Sequence, residues 1–357
     1  MLTTTGHFKT VAGTLTTGFR MDIASIPSNY SRLIGRELGL QVRDLPTLLA
    51  HTSLTSDQFT QEDTYLTAAQ QIQIIANGLA LSPHADFGLR LGQRLTPSTH
   101  GAMGILASTS QNLLMALQAF QTFLPTRMSF AQLSLTETAR ELHCHIRFTV
   151  ALSDAVYRVL SETFAVVFFE CAEFIIGRPL HEAEAHFCHQ QPSYAASYSR
   201  YLSGSYTFSA PQLCMKVPLA SCHISNASAN RDSYALAMQH CEKMLAELNA
   251  HEHSMVYQVQ KIMLSHPLGG FSEADAAAAL FMSKRTLARR LADEGTGFRP
   301  LRDALLAQQA SEYLRQTTLS VETIATLLNY HDSANFRRAF KRWHGMSPHA
   351  YRLMATP

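Results

Sequence analysis

At 357 residues the chain is longer than one compact core supports, which points to two or three domains. A composition of 46% hydrophobic and 16% charged residues excludes a disordered chain and describes a folded globular one. The formal net charge of +2 hides an asymmetry: from residue 251 onward there are 13 Lys+Arg against 9 Asp+Glu, so the basic excess is C-terminal and suggests a polyanion partner there.

No charged segment followed by an apolar one opens the chain, so no secretion signal is read. The longest apolar run in the middle, FAVVFF (164–169), is far too short to span a bilayer. The six cysteines lack CxxC spacing and read as reduced thiols. These features predict a cytoplasmic protein that makes no membrane contact.

In chain order, residues 1–25 are rich in Thr and Gly, lack periodicity and read as a poorly ordered tail. Helical patterns then follow one another: YSRLIGRELGL, DLPTLLAHTSL, EDTYLTAAQQIQIIANGLAL, a break at Ser82-Pro83, and HADFGLRLGQRL. Residues 100–123 predict two helices, the second capped at Ser110. The period then changes: RMSFAQLSL and ELHCHIRFTV alternate as strands, with a hairpin around Thr136–Arg140. A long helix from about Asp154 to Ile176 stops at Gly177-Arg178-Pro179, and residues 185–217 offer the short strands AHFCH and YTFSA. A last helix, about Asn230 to Asn249, leads into AHEHS, read as a linker. Residues 26–250 thus predict an α+β domain, and 251–357 a second domain that is nearly all helix-forming.

That second domain contains a repeat. In YHDSANFRRAFKRWHGMSP (330–348), helical spacing places Phe336, Phe340 and Trp343 on one face and Arg337, Arg338, Lys341 and Arg342 on the other. In SKRTLARRLADE (283–294), Leu287 and Leu291 oppose Arg285 and Arg289; Leu287 aligns with Phe336, and Arg289 with Arg338, each 49 residues apart. A short helical piece and a tight turn precede each copy, ADAAAALFM in the first and ETIATLLNY in the second. Helix, turn, basic helix, twice over, is the pattern of two helix-turn-helix units, about 272–294 and 321–344, joined by the linker helix FRPLRDALLAQQASEYLRQT.

SKRTLARRLADEGTGF, the linker, IATLLNYHDSANFRRAFKRWHGMSPHAYR and their order resemble the DNA-binding domain of the AraC/XylS family of bacterial transcription regulators. Two stretches of the first domain, ADFGLRLGQRLTPSTHGAMGILASTSQNLLMALQAFQTFL and HFCHQQPSYAASYSRYLSGSYTFSAPQLCMKVPL, resemble the branch of that family with the large domain named after arabinose binding, a name that does not imply a sugar. The resemblance implies double-stranded promoter DNA, RNA polymerase and a small-molecule effector of unknown identity as partners, and a first domain that binds the effector, forms a homodimer, or both. Carried over from the family pattern, Arg285, Thr286 and Arg289 face the DNA groove from the first reading helix, and Lys284 a phosphate. From the second, Ser333, Ala334, Asn335 and Arg338 face the groove, with Arg337, Lys341 and Arg342 nearer the backbone. For Arg290 and Arg342 a surface ion pair is an equal alternative. The chain departs from the family at the turns: Phe281 and Asn329 stand where glycine is common, and Phe281 is the residue less suited to positive φ.

The first domain shows no GxSxG elbow, no GxxxxGKS loop and no HExxH, so no catalytic residues are assigned and the chain is not read as an enzyme. His143, Cys144 and His145, with His181, His186, Cys188, His189, Cys222 and His223, offer donors for a metal- or redox-responsive sensor as the alternative function. No pair has the compact spacing of a structural zinc site, and neither a metal nor another cofactor is predicted. Candidate effector anchors are Arg127, Arg147, Tyr157 and Arg158, and none is preferred.

Overall fold

A computed structural model of the chain describes residues 24–264 and 271–355. Nearly all of the tail expected over 1–25 lies outside these residues. The chain divides into two compact units, one ending at Leu248 and one beginning at Asn249.

In the first unit, β1 (Ile26–Pro27) pairs antiparallel with β2 (Tyr65–Leu66) around α1 (Asn29–Glu37), α2 (Leu45–Leu48) and α3 (Ser56–Thr60). A helical layer follows: α4 (Ala68–Leu81), α5 (Phe87–Arg94), α6 (Gly101–Ser108) and α7 (Leu113–Phe123). Asn112, not Ser110, caps α7, its side chain accepting from the Met115 amide at 3.0 Å. Ser110 instead donates its hydroxyl to the Leu106 carbonyl, one turn back in the preceding helix.

The expected hairpin forms from β3 (Ala131–Glu137) and β4 (Glu141–Phe148). With β5 (Glu184–His186), β6 (Ser205–Thr207) and β7 (Cys214–Pro218) it makes a five-stranded sheet in the order β3-β4-β7-β5-β6, antiparallel except for β5–β6. Strand β7 is the interior strand that links the hairpin to the β5–β6 pair, and the sequence reading overlooked it. Alternation along β4 sends Leu142, Cys144 and Ile146 into the core, while His143 and His145 lie on the opposite face.

Helix α8 (Asp154–Ile176) begins at the Ser153 cap and ends at Gly177, whose φ of 74° supplies the left-handed stop. It packs on the sheet and, on another side, directly on α5. A β-carbon at Gly92 would lie 2.6 Å from Val166 Cβ, and one at Gly88 would lie 2.9 Å from Val159 Cα, so only glycine permits this approach. After the short α9 (Leu219–Cys222), α10 (Arg231–His253) continues through most of AHEHS, so that stretch is largely helical. Ala, Glu and His in that segment do not oppose a helix.

The second unit comprises α11 (Met255–Leu264), α12 (Glu273–Ala279), α13 (Lys284–Asp293), α14 (Phe298–Gln316), α15 (Val321–Leu327), α16 (Ser333–His344) and α17 (Pro348–Ala355). It has two small cores. Leu287 and Leu291 of α13 meet Phe298, Leu301 and Leu305 of α14, whereas Phe336 and Phe340 of α16 meet Leu306, Ala310 and Leu314 further along α14. Trp343 is only half-buried beside the second core, so the fully buried spine is Phe336 and Phe340. Gly345, at φ 73°, ends α16, and Arg352 Nη2 donates to the Leu319 carbonyl at 2.6 Å, tying the tail helix to the start of the second repeat.

One buried carboxyl in the first unit makes stability depend on pH. Glu162 of α8 accepts hydroxyl hydrogen bonds from Tyr198 at 2.6 Å and Tyr194 at 2.7 Å, while its Oε2 is buried without a partner. Burial, only partly offset by the two tyrosines and Arg158, pushes its pKa from about 4.5 up to about 7. The native state therefore holds more protons than the unfolded chain between those values, and this group's contribution falls as pH rises through the window. Stability should drop by on the order of 2–3 kcal/mol from about pH 4.5 to about pH 7 through this group alone. Chemical denaturation of wild type and Glu162→Gln should give curves that converge at low pH and separate at neutral pH; a constant difference across the window would contradict this assignment.

Candidate functional site

The second unit presents two basic helices in matching frames. Ser283 caps α13 by accepting from the Thr286 amide at 3.1 Å, and Asp332 caps α16 by accepting from the Asn335 amide at 2.6 Å. With the apolar side chains of each helix in its core, Lys284, Arg285, Arg289 and Arg290 of α13 are exposed and Thr286 is half-buried. On α16, Ala334, Asn335, Arg337, Arg338, Lys341 and Arg342 are exposed, and Ser333 is half-buried. The structure thus groups the predicted site residues on two outward helix faces.

Their local partners differ. Arg337 pairs with Glu322 at 2.5 Å, Arg342 with Asp303 at 2.9 Å and Lys284 with Glu273 at 3.9 Å. Surface pairs of this kind are weak, so a phosphate oxygen can replace any of the three carboxylates at little cost. Asn335 donates to Asp332 Oδ2 and accepts from Arg338 Nη2 at 2.7 Å, so these two side chains are oriented as a set. Among the described residues the side chains of Arg285, Arg289, Arg290 and Lys341 have no hydrogen-bond or ion-pair partner. The surface pair weighed for Arg290 and Arg342 therefore forms only at Arg342.

The two turns share one construction despite their sequences. The Phe281 amide donates to the Ala278 carbonyl and Met282 to Ala277; Asn329 donates to Thr326 and Tyr330 to Ala325. Both turn residues have positive φ, 53° at Phe281 and 58° at Asn329. Phe281 is 99% exposed and belongs to no apolar cluster, so it carries backbone strain without core contact to offset it.

The first unit holds a largely apolar cavity of about 100 Å³ between α1, α6, α7, α8 and the β3–β4 hairpin. Of the four candidate anchors only Arg127 lines it. Arg147 donates to Gln132 Oε1 on the exposed sheet face, Arg158 lies 5.9 Å from the Tyr194 ring centroid, and Tyr157 packs edge-on against Phe148. The sequence reading missed His100 and Tyr30, which also line the cavity and join through a 3.0 Å hydrogen bond between the Tyr30 hydroxyl and His100 Nδ1. Burial first, and then Arg127, push the His100 pKa down to about 4, with the Leu95 carbonyl pulling weakly the other way. His100 is therefore neutral at physiological pH.

Pairing of β4 with β7 assembles a further group. His145 sits opposite Cys214, and the donor atoms of His143, His145 and Cys214 lie within 4.8 Å of one another. His143 Nε2 lies 3.1 Å from Glu141 Oε2, and His145 Nδ1 is buried without a partner. Such a set suits a thiolate-binding divalent ion. Two features oppose one: burial raises the Cys214 pKa to about 11, and Lys216 lies on the same face, opposite His143. The other candidates do not join them; His181 contacts the Ser203 carbonyl, His186 contacts Glu184 and Thr207, and His189 contacts the Gln190 carbonyl. Burial also raises the thiol pKa values of Cys144 and Cys222, which opposes a thiolate redox switch at either.

Residues 43–222 match the arabinose-binding domain of AraC transcription regulator, N-terminal, and residues 276–354 match a helix-turn-helix domain. The chain is 30% identical over 283 residues to the ornithine utilization regulator of Pseudomonas aeruginosa, covering 78% of this chain and 82% of that one. The chain belongs to the AraC family of transcription regulators. It is also 26% identical over 328 residues to the HTH-type transcriptional regulator VirS of Mycobacterium tuberculosis, covering 89% and 92% of the two chains. Among solved structures, the transcriptional regulator CdpR from Pseudomonas aeruginosa aligns with a TM-score of 0.46 at 20% identity, over 90% of this chain and 97% of that one. This AraC-family protein is thus a DNA-binding transcription regulator with an N-terminal ligand-binding domain, not an enzyme. Among its described residues no helix is long and apolar enough to cross a membrane.

Replacing the strained, solvent-exposed Phe281 by glycine should stabilise the protein by about 1 kcal/mol, since no buried contact is lost. Thermal unfolding of Phe281→Gly should show a raised midpoint for the DNA-binding unit; an unchanged or lowered midpoint would mean that the ring makes a stabilising contact.

Proposed function

We propose that α13 and α16 are paired reading helices that enter successive major-groove segments of one promoter site. The observation that carries this reading is the duplication itself: two caps, two identical turns and two outward basic faces, each anchored to the same helix α14. Arg285, Thr286 and Arg289 read base edges from α13, with Lys284 on a phosphate. Ser333, Ala334, Asn335 and Arg338 read from α16, with Arg337, Lys341 and Arg342 on the backbone. Arginine suits guanine through two parallel hydrogen bonds, and asparagine suits adenine.

Effector binding in the first unit shifts how the protein occupies its promoter, through a homodimer and through contact with RNA polymerase. The name of the Pseudomonas aeruginosa relative makes ornithine a candidate effector. The cavity lining disfavours it, because no Asp or Glu is present to receive two ammonium groups. With chromosomal DNA as its target, the protein works in the cytoplasm.

Mobility-shift titrations test the assignments residue by residue. Arg289→Ala should weaken the specific complex by roughly 1–3 kcal/mol and relax preference at one base pair. Lys341→Ala should weaken all sequences alike and reduce the salt dependence by about one counterion. Uniform loss across sequences for Arg289→Ala would reduce that residue to a phosphate contact.

A further inference from the structure

The cavity of the first unit has an electrostatic character that its family name does not convey. Its wall is almost entirely apolar, and the polar side chains in it are few: Tyr30, His100, Arg127 and Thr163. Thr163 is already used, its hydroxyl donating to the Gly88 carbonyl at 3.0 Å. Tyr30 is used as well. Burial keeps its phenol protonated, and among the described residues His100 Nδ1 is its only hydrogen-bond partner, so the phenol donates to that nitrogen. Neutral His100 must then carry its proton on Nε2. That nitrogen is buried, in a residue only 6% exposed, and makes no well-formed hydrogen bond, the Leu95 carbonyl acting on the ring only weakly.

Arg127 is the second unspent donor. Its Nε is buried without a partner, its Nη2 reaches only the Met244 sulfur at 4.0 Å, and no carboxylate among the described residues pairs with it. The chain makes room for this guanidinium at the residue after His100: a β-carbon at Gly101, whose φ is 57°, would lie 2.3 Å from Arg127 Nη2. A cation and a poorly satisfied N–H donor thus share an apolar cavity whose lining holds no carboxylate. Buried donors left unmade are costly, and a guanidinium matches a carboxylate in both charge and shape.

We propose that this cavity binds an organic acid with an apolar body, its carboxylate accepting hydrogen bonds from Arg127 and His100. Its chain or ring packs among Leu117, Phe120, Ile146 and Phe164, which line the same space. The proposal rests on the reading of this unit as the ligand-binding domain and adds the chemical class of the ligand. Sugars do not fit, because the wall offers two donors where a polyol needs many partners. Diamines do not fit, because they would meet Arg127 with like charge.

The test uses the purified full-length chain in titration calorimetry and thermal unfolding, with octanoate and phenylacetate as probes. Methyl octanoate, octylamine, ornithine and arabinose serve as comparison compounds. One octanoate should bind per chain and raise the unfolding midpoint, with the ester and the amine roughly tenfold or more weaker, as expected when a charge-assisted hydrogen bond is lost. Arg127→Met should weaken octanoate by a similar factor, and Arg127→Lys should restore part of it. Should Arg127→Met fail to fold, Leu117→Trp, which narrows the apolar part, should weaken octanoate more than it weakens a short acid such as acetate. Equal binding of acid and ester, or octanoate binding untouched by Arg127→Met, would overturn the proposal. Saturable binding of ornithine or arabinose without the acids would overturn the ligand class while leaving a ligand-binding domain in place. No binding by any of these compounds would count against both.

Discussion

The DNA-binding half of this regulator depends on one helix belonging to two cores. Phe298, Leu301 and Leu305 of α14 close the core that holds α13, and Leu306, Ala310 and Leu314 of the same helix close the core that holds α16. At 19 residues the helix is about 28 Å long, comparable with one turn of B-DNA. Because each basic helix is fixed by buried side chains on a different half of α14, their spacing follows from packing and not from a flexible connection. Phe336 and Phe340, both with no exposed surface, anchor one end, and Leu287 and Leu291 anchor the other. Each buried side chain of this size contributes about 1.5–3 kcal/mol relative to exposure, so the frame is robust even though each core is small.

The two units handle charge in opposite ways. On α13 and α16 the cations stand in water, where weak pairs such as Arg337–Glu322 hold them at little cost and release them readily. In the first unit, Arg127 and His100 hold hydrogen-bond donors inside an apolar wall, where each unmet donor lowers stability. A surface of the first kind suits a large, salt-sensitive polyanion, and a cavity of the second kind suits one small ligand that satisfies it.

The sequence showed the second unit more clearly than the first, for physical reasons. Helical period, caps and a repeat 49 residues apart are local signals, and they sufficed to place Arg289 and Arg338 on outward faces. Strand β7 escaped notice because its five residues, CMKVP, include Lys and Pro and carry little alternation; its identity as a strand comes from pairing with β4 on one side and β5 on the other. The same pairing unites His145 with Cys214, two residues too far apart in sequence to suggest a shared site. His100 and Tyr30 were equally hidden, since an isolated histidine and a tyrosine in separate helical segments acquire meaning only when folding buries them together. The one local sign was the glycine that follows His100. At Phe281 the sequence marked a residue poorly suited to positive φ, and the structure shows it strained in a turn built like that at Asn329.

Footprinting on a promoter selected from bound genomic fragments tests the central claim most directly. Two reading helices held by α14 predict two protected major-groove segments on one face of the duplex for each protein unit, their centres about 34 Å apart. Substitutions on α13 should clear one segment and substitutions on α16 the other. A single protected segment, unaffected by changes on one of the two helices, would contradict paired reading and leave that helix with a structural role only.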